Sequence, residues 1–303
     1  MKTFSLLPKN PPKNPNNHKN HNLKNVVKFT HFLRFLGYNI SMNNDTIERV
    51  EKKYLLTKDE KRLLLEAISS HLEKDEFFSE EVLSLYFDTK NNDFAITSIE
   101  RPVFREKLRV RSYNVPTLSS PVFLELKSKL TKGPAKIGNK RRLVIKLKDL
   151  YAFLDKKKNL TSMFENLTKT KKQASVSLPS TTNQLQIARE LDYLFNYYDP
   201  VPKVLISANR TAYKGKERDD FRLTFDENLR FRNNDLRLEK GSHGEKFFSS
   251  QPDENRCIIM EVKTMNSMPL WFVRELSLLK LYPSRFSKYG KIYQKLNERN
   301  KNV

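Results

Sequence analysis

The sequence predicts an α+β protein whose main element is an eight-stranded antiparallel β-barrel with flanking helices. Strand-like runs recur along the chain with few long helical segments between them, which is typical of a sheet that closes on itself. In several runs, charged residues occupy every second position and therefore share one face of a strand. The runs are residues 47–55, 82–89, 105–113, 121–129, 140–147, 202–213, 220–226 and 256–263.

Three helices are predicted around this sheet. A capping-box sequence begins at Thr57, and apolar residues at helical spacing follow it as far as Leu72. Residues 184–197 carry apolar side chains at the spacing of one helix face, and a third helix is predicted over about residues 268–279. Since the remaining chain is mostly strand-like, these helices are expected to pack against the outside of the sheet.

Polar stretches set the predicted domain boundaries. Residues 1–44 are rich in Asn, Lys and Pro, which is typical of a disordered basic tail, and residues 45–298 are predicted to form one folded domain. Within that domain, residues 156–182 contain a lysine run and a Ser/Thr-rich stretch, which predict a surface insertion. Residues 29–40 are compatible with a short helix on a membrane surface, an ordered turn or no regular structure.

The composition indicates a polyanionic partner without saying which one. Lys and Arg number 57 against 35 Asp and Glu, so the formal net charge is +22. Such a field attracts nucleic acid, anionic lipid and polyphosphate alike. The single cysteine, Cys257, excludes a disulfide framework and favours a reducing compartment. No apolar run approaches the length of a membrane span, so we expect a cytoplasmic protein, with the membrane surface left open.

The charged strand faces carry mainly cations. Arg109 and Arg111 share a face of one predicted strand, and Glu125 and Lys127 share a face of the next. Two like charges ~4 Å apart at an effective dielectric of ~20 repel by about 4 kcal/mol, so an inward face of this kind would need bound anions. The alternative is a set of solvated outer faces. The other residues in these patterns are Arg49, Glu51, Lys53, Lys129, Arg222, Thr224, Asp226, Glu261 and Lys263.

Missing motifs narrow the chemistry. The fragment Lys214-Gly215-Lys216 lacks the spacing and the hydroxyl of a P-loop, and the sequence has no G-x-G-x-x-G. Phosphates would therefore be held by side chains, and the planar fork of Arg suits them. The five histidines show no metal-ligand spacing, so a hard cation, Mg²⁺ or Mn²⁺, on carboxylate and phosphate oxygens fits better than zinc.

Nine short motifs follow one another along the chain. They are Arg49-Val-Glu51-Lys-Lys53-Tyr54, Ser84-Leu-Tyr86-Phe-Asp88-Thr89, Lys107-Leu-Arg109-Val-Arg111-Ser-Tyr113, Phe123-Leu-Glu125-Leu-Lys127, Lys140-Arg141-Arg142, Pro202-Lys203-Val-Leu-Ile-Ser207 with Arg210 and Tyr213, Arg222-Leu-Thr224-Phe-Asp226, Ile259-Met-Glu261-Val-Lys263 and Ser287-Lys288-Tyr289. In this order they resemble the catalytic domain of the vacuolar transporter chaperone (VTC) complex, a branch of the triphosphate tunnel metalloenzymes. The resemblance runs from about Arg49 to Lys291.

The resemblance implies a basic tunnel in which the γ-phosphate of ATP is transferred to a growing polyphosphate chain with the help of a divalent cation, Mn²⁺ or Mg²⁺. ATP and inorganic polyphosphate would be the partners. Glu261 would bind the metal, and Lys263, on the same strand face, would assist more readily than Lys129. The residues expected to contact phosphates are Lys53, Arg109, Arg111, Lys127, Arg210, Arg222 and Lys288.

Alternatives stay open. The wider superfamily often begins with E-x-E-x-K, whereas Arg49 takes the first position here, which favours the polymerase branch over thiamine triphosphatase or adenylate cyclase. Glu51 and Glu125 suit ion pairs inside the barrel at least as well as metal binding. A tunnel-type triphosphatase and a non-enzymatic polyanion binder are the rival functions, although no nucleic-acid-binding motif is present. The oligomeric state and a membrane partner protein are not determined by the sequence.

Overall fold

The computed structural model describes residues 49–132, 135–171, 181–248, 255–265 and 267–301. The predicted tail and the stretch 29–40 lie outside these residues. The elements are β1 Arg49–Leu56, α1 Lys58–Ile68, β2 Leu72–Asp88, α2 Asp93–Glu100, β3 Phe104–Tyr113, β4 Pro121–Lys132, β5 Ala135–Lys146, α3 Leu147–Leu154, α4 Leu160–Lys171, α5 Thr181–Tyr198, β6 Val201–Gly215, β7 Arg222–Arg232, β8 Glu245–Lys246, β9 Ile258–Met265, α6 Leu270–Leu278 and α7 Lys288–Lys301.

The strands form one antiparallel sheet in the order β1-β9-β7-β6-β2-β3-β4-β5, and the two-residue β8 pairs with β7. The sheet is strongly curved. The curvature is evident from Lys127 of β4, which lies within electrostatic reach of Glu51 of β1 and Glu261 of β9. In the described residues, no backbone ladder joins the outermost strands β1 and β5. The predicted antiparallel fold with flanking helices is confirmed as a strongly curved, tunnel-like sheet that backbone hydrogen bonds do not close in the described residues.

The flanking helices pack against apolar residues on the outer face of the sheet and bury them. Leu108 and Val110 of β3 and Leu124 of β4 are fully buried in a core that they share with α3, α4 and α5. A second core lies under α1 and α6, where Phe225 packs with Leu64. Because side chains alternate between faces along a strand, the residues between these apolar positions must point to the interior.

The predicted capping box begins α1. The Oγ1 of Thr57 accepts a hydrogen bond from the backbone N–H of Glu60 at 3.0 Å, and the Glu60 carboxylate accepts one from the backbone N–H of Thr57 at 2.8 Å. The two contacts satisfy two N–H groups that a helix start leaves unpaired. None of the helices in the described ranges combines the length and hydropathy needed to cross a membrane.

The helix α7 fills one end of the barrel interior. Its Tyr289 stacks on Tyr86 of β2 with ring centroids 5.0 Å apart, and Ile292 packs with Val204 and Ile259 on inner strand faces. The Tyr289 hydroxyl donates to the buried Asp88 carboxylate at 2.7 Å. The apolar end of the interior is therefore closed by this helix, and the charged part of the interior begins beside it.

Candidate active site

Strands β3 and β4 place an ion cluster at the centre of the inner face. Arg109 and Glu125 are register partners, and the fully buried Glu125 accepts hydrogen bonds from Arg109 Nε at 2.8 Å and Arg142 Nε at 2.9 Å. Lys140 Nζ lies 2.9 Å from the same carboxylate. Burial alone would raise the pKa of Glu125, but the charges of Arg109 and Arg111 hold it well below its ordinary range. Glu125 is therefore an ionised partner of the cations, as one of the sequence alternatives proposed.

A second cluster joins α7 to the sheet. Asp226 of β7 is buried and receives a two-point contact from Arg210 of β6, with Nε to Oδ1 at 2.7 Å and Nη2 to Oδ2 at 2.8 Å. The Nζ of Lys288 also donates to Oδ2. Although burial would raise the pKa of Asp226, the charges of Lys288 and Arg210 lower it. The shared carboxylate fixes both predicted phosphate-binding cations in the interior.

The third cluster surrounds Glu261, the predicted metal ligand. Lys263 Nζ lies 2.6 Å from its carboxylate, and Lys53 Nζ lies 3.5 Å from it and 3.5 Å from Glu51. Burial opposes ionisation, yet the positive charges of Lys53 and Lys263 hold the pKa of Glu261 well below 4.5. The Glu261 side chain is thus an anionic oxygen donor at neutral pH.

The donor set around Glu261 limits how a metal would be held. The described residues contain no group of three or more His, Cys, Asp or Glu side chains arranged as metal ligands. Mg²⁺ and similar hard cations are commonly bound by one or two carboxylates, with water and substrate phosphates completing the shell. The residues around Glu261 fit that kind of site, in which the phosphates supply most of the ligands.

The pKa values of several interior groups are shifted by the surrounding cations. Lys127 makes no ion pair in the described part of the chain, and burial and the nearby charge of Arg109 lower its pKa to about 7. Burial likewise lowers the pKa of Lys107 to about 8. For Tyr86, burial acts to raise the pKa, but Arg109, Lys107 and Lys288 lower it to about 8. The interior field is therefore strongly positive in this part of the barrel.

A small pocket opens among these cations. Arg109, Arg111, Arg210, Lys288 and Tyr86 line it, together with inner-face residues of β2 and β6. The Nε of Arg111 is buried and has no hydrogen-bond partner. A buried donor of this kind costs roughly 1–3 kcal/mol or more unless an acceptor reaches it, so the pocket is suited to an anion.

The predicted site residues occupy different depths. Lys53, Arg109, Arg111, Lys127, Arg210, Glu261 and Lys288 lie inside, whereas about half of the Arg222 side chain is exposed and pairs with Asp75 at 3.2 Å. Lys263 is 38% exposed, and Lys129 is exposed further out on β4. Arg222 therefore lies at the rim of the interior rather than at its centre.

Four further residues belong to the interior and were not assigned to the site from sequence. Lys107 and Tyr86 occupy the same inner faces as Arg109 and Ser84, and Lys140 and Arg142 contact Glu125. The signal for three of them was present, because Lys107 continues the period-two pattern of β3 and Lys140 and Arg142 are two residues apart. Tyr86 reads from sequence as a core aromatic, which is also part of its role here.

Comparison with known families adds to this geometry. The family model for the VTC domain matches residues 48–297. The chain belongs to the VTC domain family. All three ion clusters of the interior lie within the matched residues. No curated protein matches the chain.

This VTC domain also resembles solved structures of low sequence identity. A Pyrococcus horikoshii protein, PH1819, has 12% identity and a TM-score of 0.39 over 82% of this chain and 99% of its own. The Hippeastrum protein HpAC1, described as a candidate adenylyl cyclase with a dominant triphosphatase activity, has 14% identity and a TM-score of 0.40 over 82% and 96%. A candidate adenylate cyclase from Vibrio parahaemolyticus has 11% identity and a TM-score of 0.38 over 81% and 97%.

Proposed function

We propose that this VTC domain is a polyphosphate polymerase that transfers the γ-phosphate of ATP to the end of a growing polyphosphate chain. One observation carries the proposal: the buried Nε of Arg111 has no hydrogen-bond partner, in a pocket that Arg109, Arg210 and Lys288 also line. A phosphate chain supplies several negative charges in a row and many acceptor oxygens. Family membership favours the same substrate class.

The triphosphate of ATP would lie along the pocket between β3 and β6. Arg111 presents a planar fork to phosphate oxygens, and Lys288 adds a point charge. In Arg109 and Arg210, Nε and Nη2 already bind Glu125 and Asp226, so their remaining N–H groups would face the phosphates. Lys53, Lys127 and Lys263 face the same space from β1, β4 and β9. Their separation around the curved sheet allows more than one phosphate group to be bound at a time.

The protein need not form a covalent bond with the substrate during the transfer. A terminal oxygen of the acceptor chain attacks the γ-phosphorus, the bond from that phosphorus to the β-bridging oxygen breaks, and ADP leaves. The attacking oxygen is already ionised, so no strong general base is needed. Phosphoryl transfer depends mainly on positioning and charge stabilisation, which the fixed arginines provide without further reorganisation.

The proposed divalent cation, Mn²⁺ or Mg²⁺, belongs beside Glu261. Glu261 would hold this cation, which would supply positive charge to neutralise the charge that develops on the phosphates. Lys53 and Lys263 keep the Glu261 carboxylate ionised, so it can bind a cation at neutral pH. The reaction is proposed for the cytoplasm, which suits the single cysteine.

The decisive test is product analysis. The purified chain is incubated with ATP and Mn²⁺, and the products are separated on a gel stained for polyphosphate. We expect long polymer and ADP. Orthophosphate as the sole phosphate product would instead identify a triphosphatase, and binding with no turnover and no metal requirement would identify a polyanion binder.

A substitution tests the metal position separately. The Glu261→Gln variant should lose synthesis while it still binds inorganic tripolyphosphate, because the phosphate-binding cations remain. The exposed Glu66, which pairs with Arg62 on α1, offers a matched control: Glu66→Gln should leave synthesis unchanged. Normal turnover in Glu261→Gln would show that the metal is held elsewhere.

A further inference from the structure

The two ends of the barrel interior differ in their access to solvent. The α7 helix closes the end where Tyr86 of β2 pairs with Val204, near the start of β6. Near the other end of β6, Lys214 pairs with Arg222 of β7, which in turn pairs with Lys263 of β9. The side chains of these three residues are 45%, 49% and 38% exposed. Among the described residues, the charged interior therefore reaches solvent at this second end, which we call the Arg222 end.

A bulge in β2 lies at the Arg222 end. Between the paired positions Lys74 and Ser79, β2 has four residues where β6 has only Ala212. We call these four residues, Asp75-Glu76-Phe77-Phe78, the β2 bulge. Because they have too few partners on β6 to continue the ladder, they bend away from it.

One carboxylate joins the β2 bulge to the rim of the interior. The Oδ2 of Asp75 lies 3.2 Å from Arg222 Nε, and its Oδ1 accepts a hydrogen bond at 3.2 Å from the backbone N–H of Phe77. The backbone of Phe77 is therefore held close to the Arg222 side chain. The next residue, Phe78, packs edge to face against Tyr213, whereas the Phe77 side chain is 56% exposed. Phe77 thus presents an aromatic ring to solvent beside the opening.

The bulge side of the opening differs in polarity from the cationic centre. Glu80 of β2 is the register partner of Arg210, and Arg222 and Asp75 lie within its electrostatic reach. Two carboxylates and a phenyl ring are poor partners for phosphate. They suit a nucleoside, because ribose hydroxyls can donate to carboxylates and a base can stack on an aromatic ring.

The spacing along β7 fits a nucleotide in one orientation. Thr224 is the register partner of Glu261, the proposed metal ligand, and lies two residues inward of Arg222. Two residues of strand span roughly 7 Å, and the length of a triphosphate is of this order. A γ-phosphate beside Glu261 would therefore leave the α-phosphate near Arg222 and the nucleoside at the rim.

We propose that the Arg222 end binds the nucleoside of ATP, with the base stacked on Phe77. The inference rests on the proposed function and adds the orientation of the nucleotide to it, with the base at the rim and the γ-phosphate inward. Every base has an aromatic face, so a stacking contact favours nucleoside triphosphates over inorganic triphosphate without selecting adenine.

The test compares a nucleotide with a ligand that has no base. The nucleotide is the β,γ-imido analogue of ATP, whose γ-phosphate is not transferred, and the other ligand is inorganic tripolyphosphate. In Phe77→Ala, the affinity for the analogue should fall roughly fivefold, the low end of the range for base–aromatic stacking, because the ring is half exposed. The affinity for tripolyphosphate should not change, which also verifies that the variant is folded. Titration calorimetry at fixed salt measures both.

Two further variants separate stacking from a general effect of the substitution. Phe77→Trp keeps an aromatic face and should bind the ATP analogue about as tightly as the wild type. Tyr282, which follows α6, is 76% exposed, so Tyr282→Ala removes an exposed aromatic ring away from the β2 bulge and should leave both affinities unchanged. The corresponding GTP analogue should lose affinity for Phe77→Ala by a factor similar to that of the ATP analogue.

Three results would overturn the proposal. The first is wild-type affinity of Phe77→Ala for the ATP analogue, and the second is an equal loss of analogue and tripolyphosphate affinity in that variant. The third is a wild-type chain that binds tripolyphosphate but not the analogue.

The outcomes also distinguish this inference from the proposed function. If the wild-type chain makes polymer from ATP and Phe77→Ala binds the analogue normally, the base assignment is wrong and the polymerase stands. If the wild-type chain makes no polymer, the polymerase proposal is wrong. The nucleoside site is then decided by the binding comparison alone, since the analogue is not turned over.

Discussion

Arg109 and Glu125 face each other across the β3–β4 ladder and form a buried ion pair, with Nη2 2.7 Å from Oε2. Glu125 is also the shared partner of Arg142 and Lys140, so a single carboxylate balances cations from two neighbouring strands. The pair is thus a structural requirement of the interior as well as part of its charge pattern. It holds the Arg109 fork in place before any ligand arrives.

Removal of this carboxylate should destabilise the fold. In the Glu125→Ala variant, the buried Arg109 would lose its carboxylate partner, and breaking such a pair from one side costs about 3–5 kcal/mol. Denaturant unfolding measures the change. Inorganic tripolyphosphate should restore part of the loss, because a ligand that binds only the folded state stabilises it.

The exposed Arg62–Glu66 pair on α1 is the matched control for that measurement. Glu66→Ala should change the free energy of unfolding by about 1 kcal/mol or less, since exposed ion pairs contribute little. If Glu125→Ala were no more destabilising than Glu66→Ala, the carboxylate would not be the anchor of the interior cations.

The buried carboxyl of Glu106, on the outer face of β3, makes the stability of the fold depend on pH. Burial raises the pKa of Glu106 from 4.5 to about 7, although a hydrogen bond with Tyr198 of α5 acts to lower it. The folded state therefore binds more protons than the unfolded state between these values, and stability falls as the pH rises from about 4.5 to 7. Glu106→Gln should remove this loss and raise the free energy of unfolding at pH 8 by up to about 3 kcal/mol.

The measurement is a pair of unfolding curves at pH 5 and pH 8 for each protein. The wild-type chain should lose stability between the two values relative to Glu106→Gln, and the exposed-site variant Glu100→Gln should follow the wild type. A stability difference that is the same at both pH values would contradict the assigned protonation of Glu106.

The sequence predicted the inner face well because charge alternation is local. Alternate residues of a strand share a face, so Arg109 with Arg111 and Glu125 with Lys127 were assignable to common faces without knowledge of the fold. Which face points inward depends on the whole sheet. The inward orientation was predicted from the resemblance to the VTC catalytic domain. Ion pairs such as Lys288 with Asp226 join residues 62 positions apart, and no local pattern encodes them.

Helices were predicted only where local signals were strong. The α1 helix has a capping box, whereas α2 begins after Asn92 in a left-handed conformation with no side-chain cap. In α7, the buried residues Tyr289, Gly290 and Ile292 fall within its first turns, so its apolar face is short. The helix α4 lies within the predicted insertion at residues 156–182, and the extent of that insertion stays a prediction. The strand β2 begins at Leu72, ten residues before the start of the predicted strand 82–89.

Ligand binding should take up protons through Lys127. Its pKa of about 7 in the free protein reflects burial and the nearby charge of Arg109, and bound phosphate would raise this pKa by supplying negative charge. The affinity for tripolyphosphate should therefore fall as the pH rises above about 7. Lys127→Arg keeps a permanent cation and should take up fewer protons on binding. Calorimetry in buffers of different ionisation heat measures the difference.

The ligand's own protons cancel in that comparison, because the same tripolyphosphate titrates both proteins. Lys129→Arg, which changes an exposed lysine of the same strand, is the control and should behave as the wild type does. Identical proton uptake in wild type and Lys127→Arg would show that Lys127 does not meet the phosphates.

The unpaired Nε of Arg111 predicts that charge alone will not replace this residue. Arg111→Lys keeps the positive charge but loses the planar fork, and a hydrogen bond to a charged group contributes about 1.5–3 kcal/mol, or roughly 10- to 150-fold in affinity. Arg222→Lys is the matched substitution at the half-exposed rim, where solvent and Asp75 already satisfy the side chain, and should cost only a few-fold. Titration calorimetry with tripolyphosphate at fixed salt compares them. Equal losses of affinity would mean that the phosphates bind by charge alone and that hydrogen bonds from Arg111 in the central pocket contribute nothing specific.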